Sequence, residues 1–85
     1  MKITFEVTQT DGTKHTVSTA YADITALEDK FGIDASDLAT RQRATWMAFL
    51  AWNAMRRTGE TKDSFEKFVD TIDELSPVDG GQGNE

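Results

Sequence analysis

The chain has 85 residues and a formal net charge of −6, from 15 acidic and 9 basic side chains. This length allows one domain with a thin core, for which self-association or a partner would supply extra stability. The acidic balance disfavours nucleic acids and anionic membranes as partners. A chain with no cysteine and one histidine is also unsuited to disulfides or a structural zinc site.

The first two predicted elements are strands joined by a tight turn. Residues 2–8 alternate between apolar and polar side chains, and residues 14–19 have the composition of a second strand. Asp11-Gly12 between them is typical of a hairpin turn. Because a lone two-stranded hairpin is only marginally stable in water, its apolar face should pack on helices.

Two registers of this hairpin can be compared. A two-residue loop would place Glu6 opposite Val17, which sets a charge against an apolar side chain. A three-residue loop instead pairs Phe5 with Val17 and Val7 with His15. The second register keeps one face of the hairpin apolar, so we predict it, with the glycine of the turn in the left-handed conformation.

Two helices are predicted after the hairpin. The first covers residues 23–31, with Asp23 as its N-cap and Gly32 after its last turn. The second should begin near residue 34 or 36 and run to about Thr58 as one continuous long helix. Gly59 follows that helix and is expected to end it.

A third helix is predicted near the end of the chain. Residues 63–66, Asp-Ser-Phe-Glu, form a capping box, and Ser76-Pro77 should stop the helix. Its expected core stripe is Phe65, Phe68, Val69, Ile72 and Leu75. The sequence therefore predicts an α+β fold in which an N-terminal β-hairpin packs on about three α-helices. A single domain is expected over residues 1–76, followed by a disordered tail over residues 77–85.

The long helix contains seven consecutive apolar residues, Trp46–Trp52. Successive helical residues are about 100° apart, so this run covers the whole circumference of the helix. Two interpretations remain open. Either the helix is central and wrapped by the rest of the domain, or part of its surface stays exposed and binds a partner or a second copy.

These side chains divide into two predicted groups. Trp46, Phe49 and Leu50 are expected to serve the domain's core. The candidates for contact with a partner or with another copy are Met47, Trp52, Met55 and Arg56, because tryptophan and methionine are favoured at such surfaces. The basic residues of the long helix are expected to form ion pairs with the acidic last helix, and an acidic segment of a partner or a nucleic acid is the alternative; they are Arg41, Arg43, Arg56 and Arg57.

The sequence contains no arrangement of side chains that indicates catalysis. His15 has no cysteine or second histidine to act with, and Ser36 and Ser64 are explained as helix-start residues. No nucleophile elbow, phosphate-binding loop, dinucleotide motif or EF-hand loop is found. We therefore expect no enzymatic activity, no cofactor and no metal.

Three blocks of sequence carry a family resemblance. They are Tyr21–Gly32 (YADITALEDKFG), Trp46–Gly59 (WMAFLAWNAMRRTG) and Ser64–Ile72 (SFEKFVDTI). In this order and spacing they resemble the tail assembly chaperones of long-tailed, siphovirus-type bacteriophages, particularly those of phages that infect actinobacteria. The resemblance extends over residues 1–75, although residues 41–43 carry no part of it.

The resemblance implies a chaperone that binds the long, helical, hydrophobic tape measure protein in the cytoplasm of the infected host. It would keep that protein soluble while tail-tube subunits polymerise around it, and it would be absent from the mature virion. Members of the family commonly occur as two products related by programmed ribosomal frameshifting. The resemblance implies that this chain is the shorter product, that it self-associates, and that the longer form recruits the tube subunits.

Two other classes of function remain open. One is a structural head–tail or tail-tube-associated virion protein. Mass spectrometry of purified particles would detect such a protein, whereas a chaperone would be missing from them. The other is a small regulator or enzyme-inhibiting protein whose acidic surface mimics nucleic acid. That class needs carboxylates spaced along an exposed edge, and the sequence gives no particular indication of them.

Overall fold

A computed structural model describes residues 2–41 and 43–78 of the chain. In chain order the elements are β1 (Thr4–Gln9), β2 (Lys14–Ser18), α1 (Tyr21–Phe31), α2 (Asp37–Thr40), α3 (Ala44–Arg57), α4 (Phe65–Thr71) and β3 (Ile72–Pro77). The strands form one antiparallel sheet in the order β2-β1-β3. The predicted α+β class is confirmed, with a third strand that the sequence interpretation did not include.

The hairpin adopts the predicted register. Phe5 lies opposite Val17 and Val7 opposite His15, and the glycine of the turn has a φ of 92°. The Asp11 carboxylate accepts a hydrogen bond of 2.9 Å from the Thr13 amide, which fixes the turn. Because this register leaves one face of the hairpin apolar, that face forms part of the core with the helices.

Helix α1 begins at Tyr21, two residues before the predicted start. Asp23 is therefore the third residue of the helix and not its N-cap. Its carboxylate reaches back and accepts a 2.8 Å hydrogen bond from the backbone N–H of Ala20, which is the acidic half of a capping box. Gly32 ends the helix in the left-handed conformation, as predicted.

The predicted continuous long helix is wrong, because the chain forms the short helix α2 and then α3. The segment before α2 is tied to α1, since the Ala35 amide donates to the Glu28 carboxylate at 2.6 Å. Helix α3 also packs against α1, and in addition against β2 and α4. Arg41, which follows α2, and Arg43, which precedes α3, have extended backbone angles, so the two helices are not continuous.

The predicted third helix stops at Thr71, and the chain continues directly as β3. Leu75 of β3 lies opposite Val7, and Ile72 lies opposite Gln9. The prediction that residues 72–75 continue the helix is therefore wrong. The open edge of β1 offers these residues backbone hydrogen bonds, and pairing there also places their apolar side chains against the core.

A β-bulge at Asp73 explains why two apolar residues of β3 that are three positions apart lie on the same face of the sheet. Glu74 pairs with Thr8 and Ile72 pairs with Gln9, so Asp73 is the extra residue between them. Residues opposite one another in an antiparallel sheet share a face, as do alternate residues of one strand. Ile72 and Leu75, three positions apart, therefore both lie on the face of the sheet that bears Val7.

Helices α1 and α3 are joined through the buried carboxylate of Asp23, which is 0% exposed. It accepts hydrogen bonds from the Asn53 side chain at 2.8 Å and from the Arg57 guanidinium at 2.8 and 3.2 Å. The expected pairing of Arg57 with the acidic last helix is wrong, because its partner lies on α1. Sequence spacing alone does not show which helix crosses α3 at this point.

The Asp23 network makes the stability of the fold sensitive to acid. Burial alone would raise the pKa of Asp23, but hydrogen bonds from Arg57, Ala20 and Asn53 outweigh it, and the pKa is lowered. The contribution of Asp23 to stability is therefore complete above the unfolded-state pKa, near 3.9, and is lost as pH falls through the folded-state value. Urea unfolding between neutral pH and about pH 3 should show this loss.

The isosteric variant Asp23→Asn is the control for that measurement. Other carboxylates also titrate in this range, including Asp11, whose pKa the hydrogen bonds from Thr13 lower. The difference in stability between wild type and Asp23→Asn isolates Asp23, and it should shrink on acidification. A difference that stays constant from neutral pH to pH 3 or so would contradict the assignment.

The described chain extends slightly past the predicted domain boundary. Pro77 belongs to β3, and the amide of Val78 donates to the carbonyl of Thr4 at 2.8 Å. Residues 79–85, most of the predicted disordered tail, lie outside the described residues. Within residues 2–41 and 43–78, no helix combines the length and apolar character needed to cross a membrane.

Candidate functional site

An open groove of about 660 Å³ lies between the first turns of α3, helix α4 and strand β3. We call it the α3–α4 groove. Its lining residues are Ala44, Thr45, Ala48, Phe65, Glu66, Val69, Asp70, Ile72, Asp73, Glu74 and Leu75. All three elements therefore contribute to one continuous surface.

The α3–α4 groove is open because its walls are built from small side chains and a short helix. Helix α3 presents Ala44, Thr45 and Ala48, which lie on one face by their spacing. Helix α4 has only seven residues before the chain turns into the sheet. Val69 is consequently 41% exposed, although the sequence interpretation placed it in the core.

The rim of the groove is acidic. Glu66 and Asp70 are four residues apart on α4, and Asp73 and Glu74 follow on β3. No lysine, arginine or histidine is among the lining residues. Among the described residues, none of these four carboxylates forms an ion pair. An apolar surface bordered by uncompensated negative charge attracts cationic groups.

An aromatic cluster holds the wall of the groove in place. The ring of Phe65 lies 5.7 Å from Phe49 and 5.6 Å from Trp52, between ring centroids. The indole N–H of Trp52 donates to the backbone carbonyl of Asp63 at 2.8 Å. The Ser64 hydroxyl caps α4 by accepting from the Lys67 amide. The position of α4 therefore depends on Trp52 and on its own cap.

Truncation of Trp52 should destabilise the fold moderately. Trp52 is half-buried, so we expect Trp52→Ala to lower the free energy of unfolding by about 2 kcal/mol, less than for a fully buried tryptophan. Urea denaturation followed by circular dichroism measures this. Tyr21→Ala is the control, because Tyr21 is 72% exposed; an equal loss in both variants would contradict the structural role of Trp52.

The predicted contact candidates lie outside the α3–α4 groove. Met55 is 2% exposed, so its assignment to a contact surface is corrected: the inward face of α3 places it in the core. Met47 is half-buried and lines a separate cleft of about 60 Å³. Trp52 does not line the groove but packs against Phe65, which does. Arg56 is exposed, and its guanidinium lies 5.5 Å from the centre of the Trp52 ring.

The predicted core residues of α3 are confirmed, since Trp46, Phe49 and Leu50 are all buried. Sequence reasoning missed the groove itself, because it treated large side chains as the source of an interface. The feature of the sequence that indicates the groove is a set of small side chains rather than large ones. Ala44, Thr45 and Ala48 are small residues on one face of a helix that is otherwise rich in large side chains.

The single histidine of the chain has structural partners. His15 lies 3.1 Å from the Gln9 side chain through Nε2 and 3.8 Å from the Glu60 carboxylate through Nδ1. Over the residues that the structure describes, no three histidine, aspartate or glutamate side chains are arranged to hold a metal ion. The groove has the chemistry of a binding surface for another molecule's apolar and cationic groups.

Comparison of the chain with known protein families, with curated proteins and with solved structures found no match.

Proposed function

We propose that this chain is a tail assembly chaperone of a long-tailed bacteriophage, which binds the tape measure protein and keeps it soluble during tail assembly. The observation that carries the proposal is the α3–α4 groove, an apolar surface that the domain leaves uncovered. The resemblance of residues 1–75 to such chaperones supplies the identity of the client. An uncovered apolar groove suits binding and release.

The size of the groove suits weak, repeated binding to a long client. One apolar side chain of leucine size contributes about 1.5–3 kcal/mol when it is fully buried. A small groove therefore gives modest affinity for each copy, and several copies along one client combine their affinities. The net charge of −6 on each copy would keep a partly covered complex in solution.

The proposal includes the partners and location that accompany this function. The chain would act in the host cytoplasm, associate with further copies and with a longer frameshifted form, and reach the tail-tube subunits through that form. It would leave before the particle is complete. Helical, hydrophobic segments of the tape measure protein are the proposed contact.

Co-expression tests the proposal. Expression of the tape measure protein from the same phage with this chain should raise its soluble fraction and yield a complex on affinity purification. Expression with an unrelated acidic protein of similar size is the control for a general effect of charge. An unchanged soluble fraction together with no co-purification would overturn the proposal.

A structural virion protein is the second candidate, and the edges of the sheet favour it. Within the described part of the chain, the outer edges of β2 and β3 have no neighbouring strand, so they offer backbone groups to an adjacent subunit. Mass spectrometry of purified particles decides between the two. The chaperone proposal requires that the chain be missing from them, whereas a structural subunit is present in fixed number.

A further inference from the structure

We propose that the α3–α4 groove binds an amphipathic helix that carries lysine or arginine beside its apolar stripe. The inference rests on the proposed function only for the identity of the protein that supplies this helix. It specifies the chemistry of the client segment and the place where the segment binds.

The apolar part of the inference follows from the floor of the groove. Ala48 is buried, Phe65 and Ile72 are half-buried, and Val69 is exposed, so apolar surface continues from the core into solvent. A helix places its apolar side chains in one stripe with other residues on either side. It can therefore fill the floor and present flanking side chains to the rim at the same time.

The cationic part follows from the rim. Glu66, Asp70 and Asp73 lack ion-pair partners within the described chain. Lysine and arginine have long apolar stems, which lie along apolar surface while their charged ends reach the carboxylates. A segment flanked by glutamate or aspartate would meet like charges at the same positions and would be rejected.

The chain's own segments are poor occupants of the groove. A second copy also has a net charge of −6, so its surface does not complement the acidic rim of the groove. The sequence after Val78, Asp-Gly-Gly-Gln-Gly-Asn-Glu, contains two acidic residues and neither a basic residue nor a large apolar one. Charge complementarity therefore favours a different protein as the source of the helix.

The test uses three fluorescently labelled peptides of about 18 residues, roughly 27 Å long as helices. The first has a leucine and alanine stripe flanked by lysine. The second has the same stripe flanked by glutamate, and the third has the composition of the first in an order that destroys the stripe. Fluorescence anisotropy with the full chain should show binding of the first peptide only.

Two sets of substitutions locate the binding site. The groove variant is Glu66→Gln with Asp70→Asn and Asp73→Asn. The matched control is Glu6→Gln with Asp29→Asn and Asp34→Asn, which makes the same chemical changes at exposed positions outside the groove. The groove variant should weaken binding of the lysine-flanked peptide by about tenfold and the control by less than about twofold.

A steric variant tests the floor of the groove without changing charge. Thr45 is exposed and lines the groove, so Thr45→Trp should fill it and abolish binding. Thr25→Trp on the exposed surface of α1 is its control and should bind as wild type does. Circular dichroism of each variant shows whether it is folded. If the charge variant is misfolded, the comparison of Thr45→Trp with Thr25→Trp still tests whether the peptide binds in the groove.

The inference is overturned if the glutamate-flanked or scrambled peptide binds as tightly as the first, or if groove and control variants behave alike. It is also overturned if the wild-type chain sediments as a dimer and Thr45→Trp as a monomer, because a second copy would then occupy the groove. These failures are distinct from failure of the proposed function. If the groove variant still solubilises the tape measure protein, only the inference is overturned. If the wild-type chain binds the lysine-flanked peptide but does not solubilise the tape measure protein, only the proposed function is overturned.

Discussion

Replacement of Asp23 by alanine should lower the free energy of unfolding by about 3 kcal/mol. The change leaves the Asn53 side chain and the Ala20 amide without their acceptor in a buried site. The guanidinium of Arg57 also loses its partner, but its side chain is 38% exposed, so water solvates it. The expected loss therefore lies at the lower end of the range for a broken buried ion pair.

Asp29→Ala is the matched control for this experiment, because it removes an exposed carboxylate from the same helix. It should change the free energy of unfolding by less than about 0.5 kcal/mol. Urea denaturation at neutral pH, followed by circular dichroism, measures both variants. If Asp23→Ala were as stable as Asp29→Ala, the network between α1 and α3 would contribute nothing to the fold.

Phe68→Ala should have the largest effect of the substitutions considered, a loss of about 4 kcal/mol. Phe68 is 1% exposed and is the buried residue of α4. A seven-residue helix has little stability of its own, so α4 depends on this side chain for its attachment to the core. The variant should therefore lose stability and also lose the wall of the α3–α4 groove.

The neighbouring substitution Val69→Ala is the control, because Val69 is on the same short helix but is 41% exposed. It should cost less than about 0.5 kcal/mol. Urea denaturation compares the two, and proteolysis near α4 reports whether that helix detaches in Phe68→Ala. Similar stabilities for the two variants would mean that α4 is held by contacts other than Phe68.

The hairpin was predictable in detail because a single physical requirement decided it. Only the three-residue loop keeps Phe5 and Val7 on an apolar face opposite Val17 and His15, and the structure has that register. The termination of α1 at Gly32 was predictable for a similar reason. A left-handed residue after a helix strongly favours glycine, and local sequence alone identifies it.

The end of the chain was misread because two structures satisfy the same spacing. Phe65, Phe68, Ile72 and Leu75 recur at intervals that suit one face of a helix. A helix through Thr71 followed by a strand with a bulge at Asp73 also places these residues against the core. The choice depends on the free edge of β1, which is distant in sequence, so periodicity within the segment does not reveal it.

The candidate site was also beyond sequence reasoning, for a geometric reason. The sequence predicts a contact surface at large apolar side chains such as Met55, whereas the groove lies beside the part of α3 where the side chains are small. A groove is a property of two or more elements together. Its acidic rim could be seen in the sequence as Glu66, Asp70, Asp73 and Glu74, but the partner surface of α3 could not.

Hydrogen exchange of this chain, alone and in complex with its co-expressed tape measure protein, tests the central claim most directly. Backbone amides of residues 44–48 and 65–75 should exchange more slowly in the complex, because the client covers the α3–α4 groove, while β2 (Lys14–Ser18) should be unaffected. Protection of β2 without protection of the groove residues, or failure to form the complex, would contradict the claim.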